Sequence, residues 1–141
     1  MTTARDRGYR RPVAVPDFQS FLLPLLKLAS DSNEHSLAEA LGSMALAFQL
    51  SDEDRTELLP SGKQPRINNR VGWALTYLRK AGLLSQVRRG SFQLTERGRQ
   101  LLAEAPARID LKFLQSRFAE IGEFRREEED DPAEFSVNDG T

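Results

Sequence analysis

Apolar residues recur at helical spacing near the start of the chain, at Phe18, Phe21, Leu22, Leu25, Leu28 and Ala29, and predict a helix over about Asp17 to Ser30. Pro16-Asp17 supplies the start signal, and Pro24 predicts a kink or a first turn of different character. Asp31-Ser32-Asn33 ends this helix, and a short edge strand is expected around Glu34-His35-Ser36. Leu37, Leu41, Met44 and Phe48 then repeat at helical spacing, and predict a second helix from Ser36 to about Phe48. Ser51-Asp52-Glu53-Asp54 reads as a serine cap with carboxylates in the first turn of a short helix, stopped by Pro60-Ser61-Gly62.

The segment Lys63 to Gly98 changes period. Val71, Ala74, Leu75 and Leu78 are the buried stripe of a helix over about Ile67 to Ala81, with Gly82 as its C-terminal cap. Leu83–Val87 and Ser91–Leu94 are two short strands, joined by Arg88-Arg89-Gly90 with glycine where a hairpin needs positive φ. Thr95 caps a further helix that carries Leu101 and Leu102. Ile109, Leu111, Leu114, Phe118, Ile121 and Phe124 suggest a last helix or an extended piece laid over the domain. Helix, strand, basic turn and strand in this order predict a mainly α fold with a small β-hairpin (α+β), a winged helix-turn-helix. The expected divisions are a disordered arm at 1–15, the winged-helix domain at 16–105, a helical extension at 106–126 and an acidic tail or linker at 127–141.

Charge sharpens this picture. The net charge of −1 conceals an island at 55–99, where ten Lys/Arg face two acids for a local +8, while the segments on either side are acidic. A basic island on the predicted recognition helix and wing points to a polyanion, and double-stranded DNA is the expected partner. The two arginines at the wing tip have no evident folding purpose. With no cysteine and one histidine, disulfides, thiolate or histidine-rich metal sites and a cysteine nucleophile are excluded, and His35 reads as a local hydrogen-bonding group. No catalytic constellation, metal or cofactor is expected, nor any secretory signal or membrane span; the expected location is cytoplasmic. The predicted DNA contacts are Lys63, Gln64, Arg66, Asn68, Asn69, Arg70, Arg88 and Arg89. In this reading Asn68 and Asn69 read base edges, Arg66 and Arg70 meet guanine or phosphate, and the rest grip the backbone. Trp73 and Tyr77 are either base contacts or packing residues, with packing favoured for Trp73. Roughly six to eight phosphate contacts would give a salt slope of about −5 to −7.

The string NNRVGWALTYLRKAGLL followed by RRGSFQLTERG resembles the N-terminal domain of the Mrr family of type IV restriction endonucleases. LSDEDRTELLPSGKQPRINNR and DFQSFLLPLLKLAS agree with the same pattern, so the resemblance covers about Pro16 to Phe124. It implies a winged helix that recognises modified, for instance methylated, DNA. It also implies a separate magnesium-dependent nuclease domain of the PD-(D/E)xK type, which is not found in this sequence. The chain is therefore expected to bind rather than cut, with that nuclease domain and a second copy of itself as further partners. The alternative is a winged-helix transcriptional regulator on an unmodified operator.

Overall fold

The computed structural model describes residues 15–122; residues 1–14 of the predicted arm, the acidic tail and Phe124 lie outside them, while Val15, placed in the arm by the sequence, is buried in the core. Among the described residues a 3-10 turn, Phe18–Phe21, leads into helix α1, Leu22–Leu28. Pro24 thus falls at the third position of α1, where a helix has no use for the missing N–H, and of the two expected outcomes the structure shows a first turn of different character. Strand β1, His35–Ser36, precedes α2, Leu37–Ala47, and α3 is the short helix Asp52–Thr56. Ser36 and Glu39 form a capping box: Glu39 N donates to Ser36 Oγ (3.0 Å) and Ser36 N to Glu39 Oε1 (3.4 Å). Ser51 and Asp54 repeat the device on α3, which is the capping role its acidic start predicts.

The central element is α4, Arg66–Lys80. Val71, Ala74, Leu75 and Leu78 are fully buried, as the periodicity predicts. The other faces are covered too: ten of its fifteen residues are buried, among them Asn69, Trp73, Thr76 and Tyr77. The 3-10 turn, α1, α2 and α3 all pack against it, and Phe18 stacks on Tyr77 with ring centroids 4.9 Å apart. Gly82 follows with φ +79°, the left-handed conformation that ends helices and that glycine adopts without strain.

Strands β2, Leu84–Ser85, and β3, Ser91–Leu94, form an antiparallel hairpin, and β1 pairs on the other side of β3 to give the sheet order β1-β3-β2. The first hairpin strand is shorter than expected: its ladder with β3 holds only the pairs Leu84 with Leu94 and Ser85 with Gln93. The order helix, strand, three helices, hairpin is an α+β arrangement of the kind expected of a winged helix, with the short α3 inserted before α4 and residues 86–90 as the wing. Thr95 Oγ1 accepts from Gly98 N (3.0 Å) to cap α5, Glu96–Ala103. Residues 106–122 share the core of residues 16–105: α6, Leu111–Arg117, and the 3-10 turn Ala119–Ile121 bury Leu114, Phe118 and Ile121, joined by Ile109. No helix among the described residues is long and apolar enough to cross a membrane.

Among the described glycines, Gly98 has the least room for a side chain. A Cβ there would overlap the Leu83 carbonyl oxygen and lie 2.6 Å from Leu94 Cδ1. That carbonyl cannot retreat without lengthening its 3.1 Å bond from Thr95 N. Alanine usually gains up to about 1 kcal/mol over glycine inside a helix; here a backbone overlap worth about 2–4 kcal/mol outweighs it. Gly98→Ala is therefore expected to lower the urea midpoint with an unchanged m-value, as measured by circular dichroism.

Candidate nucleic-acid interface

Six of the predicted contact residues lie in one continuous stretch, the loop before α4 and its first turns. This loop is more than a helix stop. Arg66 N donates to Glu57 O (2.7 Å), Leu59 N to Gln64 O (3.0 Å) and Gly62 N to Leu59 O (2.8 Å), and Leu58 faces Pro65 in an isolated bridge. The result is a small hairpin-like loop with Gly62 at φ +77° and Lys63 exposed at its turn. α4 begins at Pro65 without a side-chain cap and without an acidic residue in its first turn. Its positive N-terminal end therefore adds to the charge of the neighbouring Lys63 and Arg66.

Within this stretch the burial separates surface from scaffold. Lys63 is exposed, while Arg66, Asn68 and Arg70 are partly exposed. Arg66 lies 3.8 Å from Glu57, and Arg70 donates to Pro16 O (3.1 Å), which ties the start of the described chain to α4. Gln64 and Asn69 are each 2 % exposed. Their expected roles, gripping the DNA backbone and reading a base edge, are therefore corrected: a side chain with no surface cannot reach a duplex docked on the outside. Gln64 closes the loop through its carbonyl, and its Nε2 is buried without a hydrogen-bond partner among the described residues. Trp73 and Tyr77, at 7 % and 2 % exposed, are packing residues. Tyr77 stacked on Phe18 leaves no place at that ring for an extruded base.

The other two predicted residues form the wing. Arg88 and Arg89 are both exposed, in a turn closed by Ser91 N donating to Arg88 O (2.9 Å), with Gly90 at φ +77° in the third position. Ser91 Oγ adds bonds to the N–H and carbonyl of Arg88. Arg88 does have a partner in the fold, contrary to the expectation that the tip arginines have no folding purpose. Its Nε lies 2.8 Å from Glu34 Oε2 and its NH2 donates to Glu34 Oε1 (3.2 Å). With the Arg88 side chain 72 % exposed, this pair is screened and exchangeable.

Several charges of the +8 island belong to the fold instead. Arg97 NH1 donates to Ala81 O (2.7 Å) at the end of α4 and to Glu120 (3.1 Å), and its guanidinium lies 5.2 Å from the Phe118 ring centre. It caps a helix C-terminus, where a cation is favoured, and pins the 3-10 turn Ala119–Ile121. Arg99 pairs with Glu96. Glu34 and Glu120 come from outside the island, so including them lowers its charge from +8 to +6.

The wing rests on the segment around β1, where the sequence predicts a short edge strand and a locally hydrogen-bonded histidine. His35 is 6 % exposed; its Nδ1 lies 2.8 Å from Glu39 Oε2 and its Nε2 2.8 Å from Asp31 Oδ1. With a carboxylate on each nitrogen, both must donate, which requires the imidazolium. Burial pushes the His35 pKa down, but the two carboxylate bonds outweigh it and hold it above the ordinary value. The same bonds hold Asp31 and Glu39 below the usual carboxylate range.

Taken together, the geometry defines a small α+β domain of winged-helix arrangement, with accessible cations on a loop, a helix start and a wing. The pattern of the Mrr N-terminal domain matches residues 18–104, and the chain belongs to that family, a domain of restriction systems. It is 33 % identical over 95 residues to the type IV methyl-directed restriction enzyme EcoKMrr of Escherichia coli (strain K12). That match covers 67 % of this chain and 31 % of the relative, so the chain spans about a third of the relative's length. No solved structure matches the chain.

Proposed function

We propose that this chain is the DNA-recognition part of an Mrr-like restriction enzyme, reading modified double-stranded DNA that a nuclease domain outside this sequence cleaves. The observation that carries the reading is the placement of the accessible cations. Lys63, Arg66 and Arg70 sit with Asn68 at an uncapped helix start, and Arg88 and Arg89 sit on the wing. In this reading the N-terminal end of α4 enters the major groove, since most of the helix beyond it is covered. Asn68 reads a base edge, Arg66 or Arg70 reads guanine or a phosphate, and Lys63, Arg88 and Arg89 hold the backbone. Burial of Trp73 and Tyr77 favours readout of the added group in the groove over base flipping.

The test is a panel of duplexes of one sequence, unmodified or carrying methylated cytosine or methylated adenine, titrated by fluorescence anisotropy. Tighter binding to one modified duplex is expected, with Asn68→Ala eroding that preference by about 1–3 kcal/mol. Equal affinity across the panel together with strong preference for one unmodified palindrome would support an operator-binding regulator instead.

A further inference from the structure

We propose that His35 is a positioning residue for the wing: its imidazolium, clamped between Asp31 and Glu39, seats the segment that holds Arg88 and Arg89 in place for a polyanion. The proposal rests on the reading of the wing as a DNA contact, and extends it to a control by pH.

The segment 31–37 is joined to the hairpin at several points. His35 pairs with Phe92 and Ser36 with Ser91 in the β1-β3 ladder. Leu37 N donates to Gly90 O at the wing turn (2.7 Å), and Gln93 Nε2 donates to Ser32 O (2.7 Å). Glu34 holds the Arg88 guanidinium through two contacts, and Arg99 of α5 donates to Ser32 Oγ. His35 is buried in this seat, as is Leu37, and its ring is stacked on Phe92 with centroids 5.9 Å apart. The charged groups around it are Asp31, at the end of a 3-10 turn Ala29–Asp31 that follows α1, and Glu39 on α2, with Glu34 beside it in sequence and Arg88 beyond. β3 contributes an apolar ring.

A neutral imidazole has one N–H and can donate to only one of the two carboxylates, leaving the other against a lone pair. Loss of the proton therefore loosens the seat and leaves Asp31 and Glu39 uncompensated beneath a cationic wing. Both consequences lower affinity for a polyanion. The raised pKa of His35 gives the sign: the clamp is complete below its ordinary value of about 6.5 and is lost as pH rises through the higher value in the folded protein. At the acid end it is lost only as Asp31 and Glu39 protonate, below their ordinary range.

The experiment follows three signals from pH 6 to pH 9 at constant ionic strength: the His35 ring resonances, the amide resonances of Arg89 to Ser91, and anisotropy of a labelled duplex. Circular dichroism checks that the chain stays folded. The wing amides are expected to move with the His35 midpoint, and affinity to fall roughly fivefold through the same midpoint, the scale of one surface charge. His35→Gln should make both profiles flat. Glu39→Gln, which removes one of the carboxylates that raise the pKa, should move all three midpoints to lower pH together, and it serves if His35→Gln fails to fold. Wing amides that ignore the His35 titration, or an affinity loss that persists in His35→Gln, would overturn the proposal. Wing amides that follow His35 in a chain that binds no duplex would uphold the positioning role and overturn the DNA reading.

Discussion

Reversing both wing charges, Arg88→Glu with Arg89→Glu, is expected to weaken binding to every duplex about 100-fold at low salt, close to 2.7 kcal/mol. Two cations that meet phosphates become two anions facing them, so attraction is lost and repulsion takes its place. The slope of log affinity against log salt should become shallower by about 2, one for each lost phosphate contact. Preference among modified duplexes should change little, because phosphate contacts carry no sequence information. Stability should hardly move: both side chains are exposed, and the Glu34 pair that Arg88 gives up is a surface pair. Unchanged affinity with an unchanged salt slope would place the wing outside the interface.

Truncation after Glu104, the last residue of the family match, is expected to unfold the domain, whereas a chain ending at Gly122 should melt cooperatively. The shorter chain loses Ile109, Leu114, Phe118 and Ile121, all buried in the common core. At about 1.5–3 kcal/mol for each fully buried side chain, the loss approaches 6–12 kcal/mol, an upper range but comparable with the whole stability of a small domain. Polar ties go as well. Leu111 N donates to Gln19 Oε1 (2.9 Å), Arg117 makes two bonds to Glu104, and Glu120 and Phe118 hold the Arg97 that caps α4. Thermal melts by circular dichroism decide the matter; matching midpoints for the two chains would show that residues 105–122 are dispensable.

Elements governed by local chemistry are legible in the sequence. The stripe on α4, the turns at Gly82 and Gly90, the Thr95 cap and the Ser51 box depend on neighbours within a few residues, and all stand where the pattern placed them. The Ser36-x-x-Glu39 box was equally open to reading and marks the start of α2. Local pattern could not reveal what covers the far side of α4. Phe18 comes from some sixty residues upstream of Tyr77, and periodicity identifies one buried face without excluding a second. Asn69 and Gln64 therefore read as surface groups, because polar residues at a helix start usually are. Charge counting had a similar limit. It found the island, but Glu34 reaches Arg88 across 54 residues of sequence, and Arg97 is turned inward by Ala81 and Glu120. For the same reason His35 was recognised as a hydrogen-bonding group while its two carboxylate partners were not.

The proposed interface has about five cations with exposed or partly exposed positions, Lys63, Arg66, Arg70, Arg88 and Arg89, against the six to eight contacts the sequence alone suggests. If most of them meet phosphates, log affinity for duplex DNA should fall against log salt with a slope of about −3 to −5. The most direct measurement is that slope, taken by fluorescence anisotropy on a labelled duplex from about 50 to 200 mM salt. Measurable binding at low salt with a slope in this range is the result the account predicts. No binding to any duplex at low salt, or binding indifferent to salt, would contradict it.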